Sequence, residues 1–425
     1  MTNPTAPPEG ASQSDQQGQA NSPSAGQLPL EPPLTYPQLR APGGRIGEEP
    51  ADFLVEEIPA YEPSGAGEHL YLWIEKTGVN SQEVVRRLSR VAQVTPRDIG
   101  MAGMKDRNAT TKQWFSLLSK ADPSGWDLGD EIKILQHTRH GNKLRTGHLI
   151  GNRFRIRLCD TASTNPDDYA ELIEALTTKG IANYYGPQRF GRQGRNLEEA
   201  LRWLRKNQES AEDSTQDSTQ PLAAASKENR GKAKGRRRQG RRKSGQRGLD
   251  PKMLVSVIQS ELFNRYISLR LQNESPALIG EVMRLNGTGS HFVVEDAQEA
   301  AQRVLEGDIH STGAMWGRKT VQNEGEARQL ELEAARWMGL DQEDLDLLNQ
   351  LAPGTRRDLM LLPEGLVVTQ TDGRLCLEFS LPSGAFATQI AREFTQQPYF
   401  TPRGAPTEER ERRNNPSSSE DTRSP

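Results

Sequence analysis

Residues 105–107 place a carboxylate between two cations, in the order Lys105, Asp106 and Arg107. Neighbouring positive charge favours the ionised form of a carboxylic acid. An ionised aspartate suits nucleophilic attack or electrostatic stabilisation better than it suits proton donation. A loop salt bridge or a turn is the commoner reason for such a triplet. Asp106 is therefore a candidate catalytic group that needs support from other segments.

Two further segments combine residue types that bind RNA bases. NYYGPQRFGRQGRN, residues 183–196, mixes aromatic rings with arginine and glycine, a combination that stacks on unpaired bases and binds phosphate. It contains Tyr185 and begins at Asn183, whose amide could read a base edge or cap the preceding helix. LPSGAFATQIAREF, residues 381–394, places Phe386 after a turn, where composition alone predicts a core residue.

The elements around Asp106 are predicted to be strands and one helix. Hydrophobic alternation, turn residues and a capping pattern predict strands at 52–58 and 69–76, a helix at 80–94 capped by Asn80, and a hairpin formed by 99–104 and 111–118. The connection of that hairpin holds Asp106. A rigid sheet can aim a carboxylate outward from such a strand end.

RFRIRL, residues 153–158, alternates strictly between arginine and apolar residues. A strand has a period of two, so Phe154, Ile156 and Leu158 would face a core and three arginines would face the other way. Three arginines without a lysine suit either a surface that contacts RNA or a surface that pairs with carboxylates. The sequence leaves both readings open.

The order of predicted elements indicates a divided domain. Helical patterns at 197–206, 251–272 and 327–337 separate the first strand-rich part from a hairpin at 365–379, whose turn is Asp372-Gly373. The simplest architecture is a sheet domain interrupted by a helical insertion. We therefore predict a catalytic domain formed by 43–206 and 359–402, and an insertion domain at 251–358.

Three segments are predicted to be disordered because they contain too little apolar surface to offset the entropy of ordering: residues 1–42, 207–250 and 403–425. The central one is basic, since residues 227–247 carry eleven Lys and Arg against one Glu, although the net charge of the chain is −3. Such a run either contacts phosphate or is a solvated linker.

Several function classes are excluded by composition. The chain has two cysteines, Cys159 and Cys376, and six histidines, so a disulfide framework or a zinc site is not expected. It has no signal peptide and no apolar run near the length of about 18 residues that spans a membrane. We expect a soluble protein from a reducing compartment, with no membrane partner.

Seven motifs in order resemble those of the TruD family of transfer RNA pseudouridine synthases. They span about residues 45–395 and read PADFLVEE, GEHLYLWIEKTGVNS, GMKDRNATTKQWFS, GNRFRIRL, NYYGPQRFG, QSELFNRYISLR and LPSGAFAT. The resemblance implies an α+β fold, with a catalytic domain on a mixed, largely antiparallel sheet interrupted by a mainly helical insertion domain. It also implies conversion of a uridine to pseudouridine, typically at position 13 in the D arm of transfer RNA.

The resemblance further implies that the reaction needs no cofactor and no metal, and that the partner is transfer RNA. It is compatible with a cytoplasmic monomer. By the same resemblance the catalytic aspartate falls on Asp106, and substrate contacts fall on Phe53, Asn183 and Phe386. The aromatic residue two positions after the asparagine is Tyr185, where relatives are expected to have phenylalanine.

One position departs from the family pattern. A basic residue is common six positions before Phe53, where this chain has Gly47. Arg45, Lys105 or Arg107 could take its place. Lys105 and Arg107 are also expected to keep the neighbouring aspartate ionised and to bind phosphates.

Two other classes of function remain open. An RNA-binding protein could keep the fold without turnover, although it would not need a positioned carboxylate. A nucleoside-hydrolysing enzyme could also use Asp106, but it would need a second acid, for which Glu56 and Glu57 are the nearest candidates.

Overall fold

The computed structural model describes residues 29–216 and 249–399 of the 425-residue chain. The described residues form an α+β protein, which confirms the predicted fold class. Among these residues, no helix has the length and apolar character needed to cross a membrane. The predicted catalytic domain begins with the elements β1 (Arg45–Ile46), β2 (Phe53–Pro59), β3 (His69–Thr77), α1 (Ser81–Val91), β4 (Gly100–Met101), β5 (Thr110–Leu118), β6 (Ile132–His140) and β7 (Leu149–Cys159).

The remaining elements follow in chain order. They are α2 (Ala170–Thr178), β8 (Ile181–Ala182), α3 (Pro187–Phe190), α4 (Arg195–Gln216), α5 (Pro251–Gln272), β9 (Val282–Leu285), β10 (His291–Val293), α6 (Ala297–Leu305), β11 (Ile309–Met315), α7 (Gly325–Trp337), α8 (Gln342–Leu351), β12 (Thr355–Asp358), β13 (Met360–Leu361), β14 (Glu364–Thr371), β15 (Arg374–Pro382) and α9 (Ala387–Thr395). Short 3-10 helices lie at Pro50–Asp52, Pro96–Asp98, Pro123–Gly125, Pro166–Tyr169 and Arg192–Gly194.

Within the described residues, nine strands form one sheet in the order β14-β15-β7-β2-β5-β3-β6, with β1 added beside β7 and β4 beside β5. The pairs are antiparallel except for β2 and β5, which are parallel. The predicted hairpin turn is confirmed, because Asp372 and Gly373 both have positive φ angles, as a two-residue turn of the I′ type requires. The Asn80 cap is also confirmed, since its side chain accepts a hydrogen bond from Glu83 N at 2.8 Å.

One face of this sheet is covered, and its side chains form two apolar clusters. Phe154, Ile156 and Phe379 belong to the first cluster, which α2 and α9 cover. Leu72 and Phe115 belong to the second, which α1 covers. The alternation in RFRIRL therefore does turn its apolar residues toward a core. The predicted catalytic aspartate lies between these two clusters along the sheet.

The insertion packs around helix α5, whose bounds agree with the predicted 251–272. α5 is buried along most of its length and contacts α4, α7 and β11. Among the described residues of the insertion, β10, β9, β11 and β12 form a four-stranded sheet that the sequence did not predict. Its strands are three to seven residues long, too short for their alternation to stand out.

The N-terminal segment differs from the prediction of disorder through residue 42. Residues 29–42 lie against the body of the protein, where the main-chain nitrogens of Thr35 and Tyr36 donate to the carboxylate of Glu393 at 2.8 and 3.1 Å. Leu30 is buried and its nitrogen donates to Glu261. Tertiary hydrogen bonds to buried carboxylates hold this segment together with apolar contacts, since Leu30 is buried and Tyr36 and Leu39 pack against the core. Composition missed the segment because contacts with residues far along the chain leave no local pattern.

Helix α4 continues ten residues past the predicted end at Lys206, as far as Gln216. The extension reads NQESAEDSTQ and contains no Gly or Pro, so its local propensity permits a helix. Most of the predicted basic linker and the whole C-terminal tail at 403–425 lie outside the described residues, as do residues 1–28.

Replacing Glu393 with Ala should lower the free energy of unfolding by about 1–3 kcal/mol, because the two amides of the N-terminal segment lose their acceptor. Urea unfolding measures this change. The matched control is Glu364→Ala, at an exposed position of β14, which should stay within about 0.5 kcal/mol of the parent. Equal unfolding midpoints for both variants would show that the segment is not held by Glu393.

Candidate active site

The centre of the covered sheet face is polar, although apolar clusters lie on either side. Cross-strand pairing sets Glu57 of β2 opposite Asn152 of β7, and Lys76 of β3 opposite Thr111 of β5. Glu57, Lys76, Thr111 and the next inward residue of β5, Gln113, are all buried. Burying charged and hydrogen-bonding groups is unfavourable unless they have partners, so their partners indicate what this patch does. The partners lie in the loop that carries Asp106.

Lys76 holds the centre of that loop. Its ammonium donates a hydrogen bond of 2.6 Å to the main-chain oxygen of Asp106. Burial lowers the pKa of Lys76 to about 8, an effect that the charge of Asp106 opposes and that of Lys105 reinforces. A buried cation is thus placed directly beneath the candidate catalytic residue.

The preceding half of the loop is held by two polar side chains. Gln113 donates to the main-chain oxygen of Gly103 at 2.9 Å, and the main-chain nitrogen of Lys105 donates to the Ser81 hydroxyl at 2.9 Å. Ser81 in turn donates to Gln113. Because these bonds come from β5 and from the first residue of α1, the loop is fixed to the sheet on one side and to a helix on the other.

The carboxylate of Asp106 itself points away from this buried patch and is exposed. It accepts a hydrogen bond of 3.3 Å from Gln188, a residue of the short helix α3. Arg107 donates instead to the main-chain oxygen of Gly78 at 3.1 Å. Within the described residues, neither Lys105 nor Arg107 forms an ion pair with Asp106, and the Asp106 carboxylate stays accessible to solvent.

Lys105 was expected to contact phosphates, and the structure corrects this expectation. Its side chain is 6% exposed, its ammonium lies 3.4 Å from Glu57, and it donates to the amide oxygen of Asn152. Burial lowers the pKa of Lys105 and raises that of Glu57. Lys105 is therefore an internal brace of the loop, and the buried side chain is not available to RNA.

Arg357 is a residue of β12 that the sequence did not single out. It brings together Asn183, Tyr185 and the loop before Phe386. Its guanidinium donates to the side-chain and main-chain oxygens of Asn183 and, at 3.2 Å, to the main-chain oxygen of Gly384. The guanidinium carbon also lies 4.2 Å from the centre of the Tyr185 ring. Burial lowers the pKa of Arg357. The insertion thus supplies the side chain that organises this part of the site.

The same contacts change the expected roles of two residues. Asn183 is buried; its amide nitrogen donates to the main-chain oxygen of Asp358 and its amide oxygen accepts from Arg357, so the amide is engaged within the protein and is not presented to a base. Tyr185 is buried, with the guanidinium groups of Arg357 and Arg189 at 4.2 and 5.0 Å from its ring centre. A base cannot stack on a ring that is covered in this way. Both residues shape the site from beneath its surface.

Phe386 and Phe53 remain available as surfaces for a base. Phe386 is half-buried, with its ring centre 5.6 Å from that of Tyr185 in an edge-to-face arrangement. Phe53 is also half-buried and lies edge-on to Phe154 at 6.3 Å. Strands β2 and β5 run parallel and pair at Leu54 and Thr110, and the Asp106 loop leads into Thr110. Phe53 therefore lies at the end of the sheet where that loop joins β5.

The departure at Gly47 has a steric reason. A Cβ atom there would lie 2.1 Å from a carboxyl oxygen of Asp52, so this position has no room for a basic side chain. Arg45 does not replace it, because it pairs with Glu48 at 3.0 Å and with Asp160 at 2.8 Å. A buried cation that bonds to Asp106 is Lys76, on strand β3.

Two cavities lie away from the predicted site residues. One, of about 630 Å³, is lined by residues between 123 and 137 and by none of the predicted site residues. A second, of about 280 Å³, opens on the other face of the sheet beside Glu56 and Arg153. In the part of the chain that the structure describes, no three His, Cys, Asp or Glu side chains are grouped to hold a metal.

Comparison with known proteins identifies the family to which the chain belongs. The family model of tRNA pseudouridine synthase D (TruD) matches residues 36–216 and 248–394. A tRNA pseudouridine synthase D from Methylococcus capsulatus is 37% identical over 369 residues, covering 85% of this chain and 93% of that protein. One from Thermus thermophilus is 35% identical over 369 residues, covering 85% of this chain and 91% of that protein.

A solved structure supports the fold. The crystal structure of a putative tRNA pseudouridine synthase D (TruD) from Methanosarcina mazei aligns with a TM-score of 0.64 at 21% identity, covering 87% of this chain and 97% of that chain. The sheet with its insertion is therefore the fold of a pseudouridine synthase. More narrowly, the chain belongs to the TruD family of transfer RNA pseudouridine synthases.

Sequence reasoning missed Lys76, Gln188 and Arg357. A signal existed for Lys76, because it occupies the core-facing register of β3 after Leu72 and Ile74, where a lysine is out of place. No comparable signal exists for Arg357, which lies 174 residues from Asn183 in the chain. Only folding brings these two residues together.

Replacing Lys76 with Met should change stability with pH. The folded-state pKa, about 8, lies below the value of about 10.4 expected in the unfolded chain, so protonation of Lys76 opposes folding below pH 8. The stability of the variant relative to the parent should therefore be highest below about pH 8 and should decline toward about pH 10. Urea unfolding at pH 7 and near pH 10 measures this difference. The control is Lys133→Met, at an exposed position on β6, for which the difference should not vary with pH.

Replacing Arg357 with Lys should lower kcat/KM by roughly ten- to a hundred-fold, about 1.4–2.7 kcal/mol, because one ammonium cannot bond two residues and cover a ring at once. Steady-state kinetics on transfer RNA measure this. Arg374→Lys, at an exposed end of β15, is the control. A normal kcat/KM for Arg357→Lys would mean that the arginine does not organise the site.

Proposed function

We propose that this protein converts a uridine of transfer RNA to pseudouridine, with Asp106 as the catalytic residue. The observation that carries the proposal is the loop: three hydrogen bonds with the side chains of Lys76, Gln113 and Ser81 fix it, yet its one carboxylate is exposed. A fixed and accessible carboxylate is what catalysis needs, and membership of the TruD family supplies the substrate class. We propose that the uridine at position 13, in the D arm of transfer RNA, is the substrate.

The reaction balances without any co-reactant. The bond between C1′ and N1 breaks, the uracil rotates, and a new bond forms between C1′ and C5. The proton leaves C5 and, in sum, N1 gains one, so the product has the mass of the substrate. Nothing is oxidised or reduced, which is why we propose that no cofactor takes part. The negative charge of Asp106 serves either to bond to uracil or to stabilise positive charge at C1′.

A uridine inside a folded transfer RNA has to leave its stack before Asp106 can reach it. Phe386 and Phe53 are the half-buried rings on either side of the polar patch, and we assign to them the contact with the extruded base. Stacking on such a ring contributes about 1–3 kcal/mol per base. Gln188, which already contacts Asp106, is placed to orient the carboxylate.

A nucleoside hydrolase is the weaker alternative, because the positions of the nearby acids disfavour it. Glu57 is buried and paired with Lys105. Glu56 lies on the opposite face of the sheet, between Lys112 and Arg153 at 3.8 Å from each. Neither can act with Asp106 on one glycosidic bond. We further propose that the enzyme acts as a cytoplasmic monomer.

Asp106→Asn is the decisive variant. It keeps the size of the side chain and removes its charge, so release of tritium from 5-tritiated uridine in transfer RNA should be lost, while RNA affinity should stay within a few-fold. The control is Asp346→Asn, in helix α8 of the insertion, which should keep full activity. Activity of the Asp106 variant at a tenth of the parent rate or more would rule out this role. An abasic product from the parent enzyme would instead favour hydrolysis.

A further inference from the structure

We propose that residues 141–148, together with Arg97, form a surface that binds the phosphate backbone of the RNA substrate beside Asp106. The inference rests on the proposed function for the identity of the RNA. We call these residues the basic loop; its outward cations are Lys143 and Arg145, and Arg97 lies against it. It connects β6 to β7 and contains no acidic residue.

The arginine stripe of β7, for which the sequence left open contact with RNA or pairing with carboxylates, has carboxylate partners. Arg155 pairs with Glu378 at 3.1 Å, and Arg153 lies 3.8 Å from Glu56. Arg157 lies 3.8 Å from Asp372. Because each arginine has a carboxylate nearby, phosphate would have to displace an existing partner.

The cations of the basic loop have no such partners. Within residues 29–216 and 249–399, no ion pair joins Arg97, Lys143 or Arg145 to a carboxylate. Lys143 donates to the main-chain oxygen of Arg97, which draws the two cations together. Arg97 and Arg145 are exposed. Cations that lie close together without counter-charges create the positive potential that attracts phosphate.

The loop is also fixed in place. Leu144 is buried and its nitrogen donates to Ser116 at 2.8 Å, while Tyr71 donates to the main-chain oxygen of Asn142 at 2.9 Å. Gly100 permits this packing, since a Cβ atom there would lie 2.1 Å from the oxygen of Leu144. A loop that is ordered before binding loses little entropy on contact with RNA.

The final observation relates the loop to the catalytic residue. Gly147 donates to the main-chain oxygen of Ala102 at 2.9 Å, and Ala102 precedes Asp106 by four residues. The basic loop and the catalytic loop are thus bonded to each other. Tyr71 and Ser116, which hold the basic loop, lie on the same face of the sheet as the arginine stripe, opposite to Glu57 and Lys76. The basic loop differs from the stripe in its bond to the chain that leads to Asp106. Ala102 and Asp106 are separated by four residues, a span of roughly 14 Å at most, so phosphates bound near Gly147 would lie within a short distance of a nucleotide at Asp106.

The test compares two double variants of the full chain. Lys143→Ala with Arg145→Ala removes two proposed phosphate contacts, and Arg153→Ala with Arg155→Ala removes two arginines of the stripe. Affinity for transfer RNA is measured between about 50 and 200 mM salt. The first variant should flatten the log–log salt slope by about 1.4–1.8 units and weaken binding by roughly ten- to fifty-fold near 0.1 M salt. The stripe variant should keep the parent slope, and kcat at saturating RNA should stay within about two-fold in both.

Two outcomes would overturn the proposal: a parent-like slope for the basic-loop variant, or a larger loss for the stripe variant. If the double variant has a lower melting temperature than the parent, Arg145→Ala alone serves, since its guanidinium makes no described contact; the slope should then fall by about 0.7–0.9 units. The affinity measurement does not depend on catalysis, so the two proposals can fail separately. If the protein binds RNA through the basic loop but does not isomerise uridine, the proposed function is contradicted and the basic loop remains supported.

Discussion

The burial of Lys76 and Lys105 beneath an exposed aspartate is the constraint on which the rest of this structure depends. An ammonium group loses several kcal/mol of hydration when it leaves water, and only good partners offset that loss. Glu57, Asn152 and the main-chain oxygen of Asp106 are those partners. To reach them, the chain between β4 and β5 must fold down over the middle of the sheet. The position of the Asp106 loop is thus set by where the lysines need acceptors.

This polar patch also explains the division of the hydrophobic core. The covered face carries one apolar cluster around β7 and β15 and another around β3 and β5. A continuous apolar core would be more stable but would leave no cleft at the centre of the sheet. Functional sites commonly break a local rule of this kind and are stabilised by their surroundings. Here, helices α1 and α9 cover the flanking clusters and leave the polar centre open to the loop.

The predicted insertion takes part in the site through side chains of β12 and α5. Besides Arg357, Asn264 of α5 bonds to the main-chain nitrogen and oxygen of Tyr185. Arg357 reaches from β12 to Asn183 and Gly384, which belong to the catalytic domain, and its guanidinium covers Tyr185. Near the N-terminus, Leu30 bonds to Glu261 of α5, while Thr35 bonds to Glu393 of α9. The N-terminal segment therefore links the insertion helix with the last helix of the catalytic domain. Both connections combine apolar contacts with buried charged groups, and the charged groups demand good geometry because an unpaired buried polar group is costly.

The sequence by itself determined the family, the fold class and the strands and helices with strong periodicity. The alternation in RFRIRL predicted which side chains face the core, Asp372-Gly373 predicted a two-residue turn, and the apolar periodicity of residues 251–272 predicted helix α5. These features depend on neighbours within a few residues, which is why the sequence alone determines them. Tertiary structure decided which cations are paired, which rings are covered and which residues lie near Asp106. Lys105 and Arg145 have similar charges in the sequence, yet one is buried against Glu57 and the other faces solvent. That difference arises from desolvation and from contacts between residues far apart in the chain, neither of which leaves a local pattern in the sequence.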